Sequence, residues 1–272
     1  MKRTGLMLFA LCMLCAACNK ENDYYTMGYV IAGDYTKLDV SSAFDVVVCD
    51  TVTQAMVTTP NRLQRYVVVR VEDGVLTIKL RPHLMFGSYD AKVLLPRNEK
   101  LCELELSGAS TFYGDLKGDK VEVDLSGASD FVGSLQASTK VEMELSGAST
   151  FNGAIQGSEV SIDLAGASVI TGSIDADYIE LEASGSSTVK ATGSCLDYLD
   201  LDLSGSSDLL APQMECRNVK GEMSGSSNAE FQVCESLQVS LSGSSSIIYG
   251  IPAGCRPLVN CPTSGSSSVT LR

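Results

Sequence analysis

From residue 101 to about residue 250, apolar and polar residues alternate in short runs that all end the same way. Apolar side chains stand two, four and six places before a glycine: Val121, Val123 and Leu125 before Gly127, Val141, Met143 and Leu145 before Gly147, Val160, Ile162 and Leu164 before Gly166. Polar residues fill the places between. Strict alternation over five or six residues predicts a β-strand with one buried face. Four places after each glycine stands another apolar residue, among them Phe112, Phe131, Phe151, Ile170, Val189 and Leu209, and at Gly114, Gly133, Gly153 and Gly172 a second glycine follows two places later.

The glycines belong to a repeated Ser-Gly-Ala-Ser or Ser-Gly-Ser-Ser, with Gly108, Gly127, Gly147, Gly166, Gly185, Gly205, Gly225, Gly243 and Gly265 spaced 18 to 22 residues apart. Only Ala165 replaces the first serine. A unit this short cannot bury its own apolar face, whereas stacked units bury a continuous one. The pattern therefore predicts an all-β chain, a single-stranded right-handed parallel β-helix (a solenoid) of about 19–20 residues per rung. Aliphatic and phenylalanine ladders lie inside, and each Ser-Gly pair turns a corner. Glycine suits a sharp corner because it accepts positive φ and close backbone approach. Serine hydroxyls there satisfy backbone groups that the turn leaves unpaired. At the spacing of hydrogen-bonded strands, nine rungs make a rod on the order of 40 Å long.

Residues 28–100 lack the regular motif but keep its style. Leu38 to Val46 reads as a degenerate rung with Ser42 in the glycine's place, and Val67–Val71 and Val75–Leu80 flank a hairpin signal at Glu72-Asp73-Gly74. This segment is expected to be the atypical N-terminal cap of the solenoid, which an open end rung needs if it is not to pair edge to edge. Residues 101–272 are the regular repeats.

The first 17 residues have the form of a targeting segment: Lys2 and Arg3, an apolar run over Leu6–Leu14 too short to span a bilayer, then Ala16, Ala17 and Cys18. This resembles a bacterial lipoprotein signal with Cys18 as the lipidated residue. It departs from the usual pattern in having Cys15 where a leucine is common, with Leu14 one place early. A polar tether, residues 18–27, follows, and its Asn19-Lys20-Glu21-Asn22-Asp23 is similar to the acidic signal of surface-exposed Bacteroidetes lipoproteins. The expected partner at this end is a membrane, and the expected location is the outer membrane, on the cell surface rather than facing the periplasm.

Composition narrows the function. The chain has 272 residues with 20 basic and 33 acidic side chains, a net charge of −13, ten cysteines, one histidine and no tryptophan. A basic face for nucleic acid is missing. One histidine, His83, and no Gly-x-Ser-x-Gly among the repeats leave the many serines without a base, so no catalytic residue is assigned. Polysaccharide lyases also use parallel β-helices, but they set a basic residue among their acidic ones, and here only Lys220 at the far end would serve.

The outward strand positions carry the strongest surface signal. Three places before the glycines stand Glu105, Asp124, Glu144, Asp163, Glu182, Asp202 and Glu222; five places before stand Glu103, Glu122, Glu142, Glu180 and Asp200. Twelve carboxylates thus line one face as two columns. Stacked about 4.8 Å apart, like charges repel, and raised pKa values, bound cations or lysines such as Lys100, Lys120 and Lys140 must relieve them. The face is a candidate for Ca²⁺ or a cationic partner, although Ca²⁺ wants six to eight convergent oxygens rather than a flat row. The same charge on a solvated strand face also guards against aggregation. No other cofactor is expected.

Cys195, Cys216, Cys234 and Cys255 fall 9 to 12 residues after successive rung glycines. They are read as a stack on neighbouring rungs, forming either disulfides or a ladder of buried thiols. Cys102 stands at an inward strand position and is expected in the core.

The Leu-Ser-Gly-Ala-Ser rung, the Leu38–Val46 segment and the Val71–Leu76 hairpin together resemble the bacterial "putative auto-transporter adhesin, head GIN domain" family over residues 30–270. Ser42, where the family commonly has glycine, and the cysteine-rich later rungs depart from it. The resemblance implies a β-helical, non-enzymatic envelope lipoprotein with an adhesive surface for protein or glycan. It carries over no catalytic residue.

Overall fold

The computed structural model describes residues 23–81 and 89–272. Apart from one short 3₁₀ helix, Asn61–Tyr66, its regular structure is β-strand, and the strands join into a single continuous sheet wound into a β-solenoid. Among the described residues, no helix is long and apolar enough to cross a membrane.

The long strand Asp130–Leu145 shows how one turn is built. Phe131, Leu135, Ala137, Val141, Met143 and Leu145 are buried, and so is Ser149 just beyond. Alternation breaks at Gly133-Ser134, at residues 138–140 and at residues 146–148, so each turn has three straight sides and three bends. Side chains that alternate along the straight parts fill the interior as ladders. Phe112, Phe131 and Phe151 lie in register, with ring centroids 5.4 and 5.0 Å apart. The same ladder continues through Ile170, Val189, Leu209, Ala229 and Ile247.

The Ser-Gly-x-Ser corner is the most constrained part of the turn. Its glycines all have φ between +71° and +79°. From Gly127 onward, a Cβ added to any of them would fall within 2.6 Å of the carbonyl oxygen of the glycine one turn below. That oxygen is already engaged: Ala128 N–H donates to Gly108 O at 2.8 Å, and Ala148 N–H to Gly127 O at 2.7 Å, and so on up the rod. Conformation and space thus both demand glycine. The final serine of each regular corner from Ser110 to Ser245 points inward, fully buried. Its hydroxyl donates to the carbonyl three residues back, as Ser129 does to Ser126 at 2.8 Å and Ser187 to Ser184 at 2.8 Å. A column of buried polar groups is tolerable because each one is bonded.

The N-terminal turns are stacked out of chain order. Strands β1 (Tyr24–Tyr29), β2 (Lys37–Val40), β3 (Phe44–Cys49), β4 (Ala55–Pro60), β5 (Val67–Glu72), β6 (Val75–Leu80), β7 (Ala91–Pro96), β8 (Glu103–Leu106) and β9 (Thr111–Tyr113) form this end. The β2–β3 turn is sandwiched between two others, pairing in parallel with β6 and β7 on one side and with β8 and β9 on the other. The chain therefore completes one turn, steps outward through β4 and β5, lays β6–β7 on the outer edge, then crosses back to build the rest of the rod. Antiparallel strands finish the end: β5 closes β6, β4 closes β7 and β1 closes β4. Ser42 has φ +75°, the value of the corner glycines. It is a non-glycine in a left-handed conformation, which costs on the order of 1 kcal/mol. Gly108, which stacks on this corner, is correspondingly less crowded than the later glycines: a Cβ added to it would clear Ser42 N by 3.5 Å.

Cys102 is a correction to the sequence reading. It is only partly buried, and Leu101 enters the core instead, because the alternation that runs back from Leu106 breaks before the strand begins.

Gly147→Ala is expected to lower stability by about 2 kcal/mol or more, since it combines strained φ with a clash against backbone that cannot move aside. Ala148→Ser, which reproduces the Ser-Gly-Ser-Ser corner, should be near neutral. Urea unfolding followed by far-UV circular dichroism measures both.

Candidate partner-binding face

Strand register turns the acidic positions into true columns. One column runs Asp39, Glu105, Asp124, Glu144, Asp163, Glu182, Asp202 and Glu222, each the direct neighbour of the next. The second runs Lys37, Glu103, Glu122, Glu142, Ser161, Glu180, Asp200 and Lys220. All twelve sequence-predicted carboxylates are brought together on one wall. Asp39 joins them because the β2–β3 turn is stacked against β8–β9. Its signal was present in the sequence: Asp39 stands three places before Ser42, the same offset as its column mates.

The two columns are treated differently. Lysines two residues before the column positions on the same strands, and one at its far end, pair with Glu122, Glu142 and Asp200 of the second column. Lys120 lies 2.5 Å from Glu122 and 2.6 Å from Glu142; Lys140 lies 3.0 Å from Glu142 and 2.6 Å from Glu159; Lys220 lies 2.9 Å from Asp200. Lys120 and Lys140 accordingly hold the Glu142 carboxyl below its ordinary range. In the first column Glu105 alone, among the described residues, has an ion-pair partner, Lys37 at 3.0 Å. Desolvation, then the neighbouring Glu105, pushes Asp39 and Asp124 up; desolvation, then Asp163, Glu180 and Asp202, pushes Glu182 up. From Asp124 to Glu222 the first column is exposed and, among the described residues, free of lysine or arginine ion pairs.

As a Ca²⁺ site the wall is poorly shaped. Among the described residues no three acidic, cysteine or histidine side chains converge as metal ligands do. Parallel strands hold the carboxylates side by side on a flat wall, so they offer a line of charge rather than a cage.

The four later cysteines are split by a register shift. Cys195 and Cys216 are in register and buried, with free thiols. Cys216 opposes Val233 on the next turn, so Cys234 falls on the other face of the strand, where it forms a disulfide with Cys255 (Cα–Cα 4.8 Å). Burial raises the Cys195 thiol to about 11 and pushes Cys216 up as well. Cys18, the targeting segment and His83 lie outside the described residues.

The solenoid wall thus presents, from Asp124 to Glu222, a straight acidic column without lysine or arginine ion pairs among the described residues. The model of the family described as "Putative auto-transporter adhesin, head GIN domain" matches residues 34–154 and 139–251, and the chain belongs to this family. The double match mirrors the internal repeat. No curated protein matches the sequence. Solved structures share the fold. A "putative adhesin" from Parabacteroides merdae is 18% identical, covers 92% of this chain and 96% of its own, and has a TM-score of 0.56. Another "putative adhesin", from Parabacteroides distasonis, is 19% identical with a TM-score of 0.59, covering 93% and 98%. A Parabacteroides distasonis protein called a "putative lipid binding protein" is 20% identical with a TM-score of 0.59, covering 92% and 97%.

Two predictions follow from the geometry. The Glu182 carboxyl is raised in the fold, so ionised Glu182 weakens the native state at neutral pH, and that penalty fades as pH falls into the carboxylate range. Glu182→Gln is expected to raise the thermal midpoint at pH 7 by about 1–2 °C, given its exposure, and to leave it unchanged at pH 3. In the native protein, Cys195 and Cys216 should resist iodoacetamide at pH 8 and become labelled in denaturant alone. Cys234 and Cys255 should be labelled only after reduction. Peptide mass mapping distinguishes these cases.

Proposed function

We propose that the chain is a non-enzymatic, lipid-anchored protein of the bacterial envelope, tethered through Cys18, that displays its solenoid wall at the cell surface for adhesive contact with a protein or glycan. The observation that carries this reading is the bare carboxylate column, repeated in register on successive turns. A ligand with cationic groups at a matching spacing meets the same chemistry at every step, so many weak contacts add. Membership of the adhesin family supports the adhesive role, and the lipoprotein-like N-terminus supports the anchor. Ca²⁺ acts at most as a loosely held counterion of this wall.

Protease shaving of intact cells tests the location: the repeat region should be lost while a periplasmic marker survives. Persistence of the repeat region until the outer membrane is opened would discard the adhesive reading in favour of a periplasm-facing scaffold. Once a ligand is captured, Glu144→Lys and Asp163→Lys should each weaken binding about threefold to tenfold, measured by biolayer interferometry, with the loss shrinking at high salt.

A further inference from the structure

We infer that the capped, N-terminal end of the rod is itself a bilayer-contact surface, formed by β1 and the 3₁₀ helix beside it, and that it seats the rod on the interface of an anionic phospholipid membrane. The inference rests on the anchoring part of the proposed function for its biological setting, but the surface stands on its own geometry.

Among the described residues strand β1 is an edge strand, paired along one side only, with β4. Its sequence, Tyr-Tyr-Thr-Met-Gly-Tyr, holds no charge. Tyr24, Tyr25 and Met27 are 46%, 55% and 41% exposed, and Val30 just beyond is 78% exposed. Tyrosines with a free apolar ring and a polar tip are the side chains that bilayer interfaces favour. At headgroup depth, water and phosphate can also satisfy the unpaired edge of the strand, which the hydrocarbon core could not.

Cations flank the same strand. The helix Asn61–Tyr66 is tied to its start by Asn61 N–H donating to Asp23 O at 2.8 Å, and it exposes Arg62 and Arg65. Charge is also polarised along the rod. Nine basic residues balance nine acidic ones over residues 23–100, whereas residues 101–272 carry eight against 23, a net −15. An anionic surface would repel the repeats and accept the neutral cap, orienting the rod with its acidic wall away from the lipid. The chain from Cys18 to Asp23 reaches at most about 17 Å, so an acyl group on Cys18 would hold β1 within range of the headgroups.

The chain has no tryptophan, so a single introduced one reports its own surroundings. Tyr25→Trp is made in the full chain, with Cys18 intact and with Cys18→Ser, and mixed with vesicles of phosphatidylcholine and phosphatidylglycerol containing brominated lipid. In the Cys18→Ser background, emission should shift to the blue and be quenched by brominated lipid. Ile248→Trp, at an exposed position on the far rungs, should be unaffected. Arg62→Glu with Arg65→Glu should reduce partition onto the vesicles about tenfold or more, at roughly one factor of three to five per reversed charge. Absence of quenching at saturating lipid would overturn the inference. So would a blue shift without vesicles accompanied by a dimer in sedimentation, which would make β1 a pairing edge between two copies. Intact mass of the Cys18 protein reads the anchor separately: an unacylated Cys18 ends the anchoring reading while leaving quenching to decide the surface.

Discussion

Every feature of this molecule depends on one constraint, the in-register stacking of successive turns at hydrogen-bonding distance. Where neighbouring turns are nearly the same, a residue's main environment is its own equivalent one turn above and below. At the corners this becomes a demand on backbone. The carbonyl of Gly127 receives the amide of Ala148 and leaves no room for a Cβ on Gly147. One corner cannot change without its neighbour feeling it. The buried serine column follows the same logic, since each hydroxyl must find its acceptor within its own corner, three residues back.

Stacking is indifferent to what it stacks. Inside, it places phenylalanine on phenylalanine and aliphatic on aliphatic, which helps the fold. Outside, it places carboxylate beside carboxylate, which opposes it. The protein relieves parts of one acidic column with Lys120, Lys140 and Lys220 and, among the described residues, leaves the other without lysine or arginine ion pairs from Asp124 to Glu222. Within that column Asp39, Asp124 and Glu182 are held above their ordinary range. A surface that exists only for solubility could have alternated signs, as the lysine-bearing column partly does.

A stack must also end. At the N-terminal end the problem is met by topology: the chain's first turn is enclosed by a later one, and antiparallel strands β5, β4 and β1 cover the remaining parallel edges. The last of these, β1, has one side unpaired among the described residues and exposes aromatic rings. The end of the rod that leads toward Cys18 is thus close to neutral and carries exposed tyrosines, whereas the repeats as a whole are strongly acidic.

Much of this was legible in the chain itself. Alternation before each glycine, the near-constant spacing and the Ser-Gly-x-Ser corner specify the turn, because solenoid contacts are between equivalent positions and a repeat in sequence becomes a ladder in space. Both acidic columns could be read for the same reason. Other features were beyond the sequence, each because it depends on contacts between unlike segments. The placement of β2–β3 between β6–β7 and β8–β9 follows from hairpin reversal and competition for an edge, which no periodic pattern encodes. The membership of Asp39 in the acidic column followed only once that stacking was known. The cysteines divide into a buried thiol pair and a disulfide because a one-residue register shift moves a side chain to the opposite face of a strand, and a shift of that kind is decided by how two particular turns pack. The repeating part of the protein was determined locally; its end and its irregular rungs were decided by tertiary contacts.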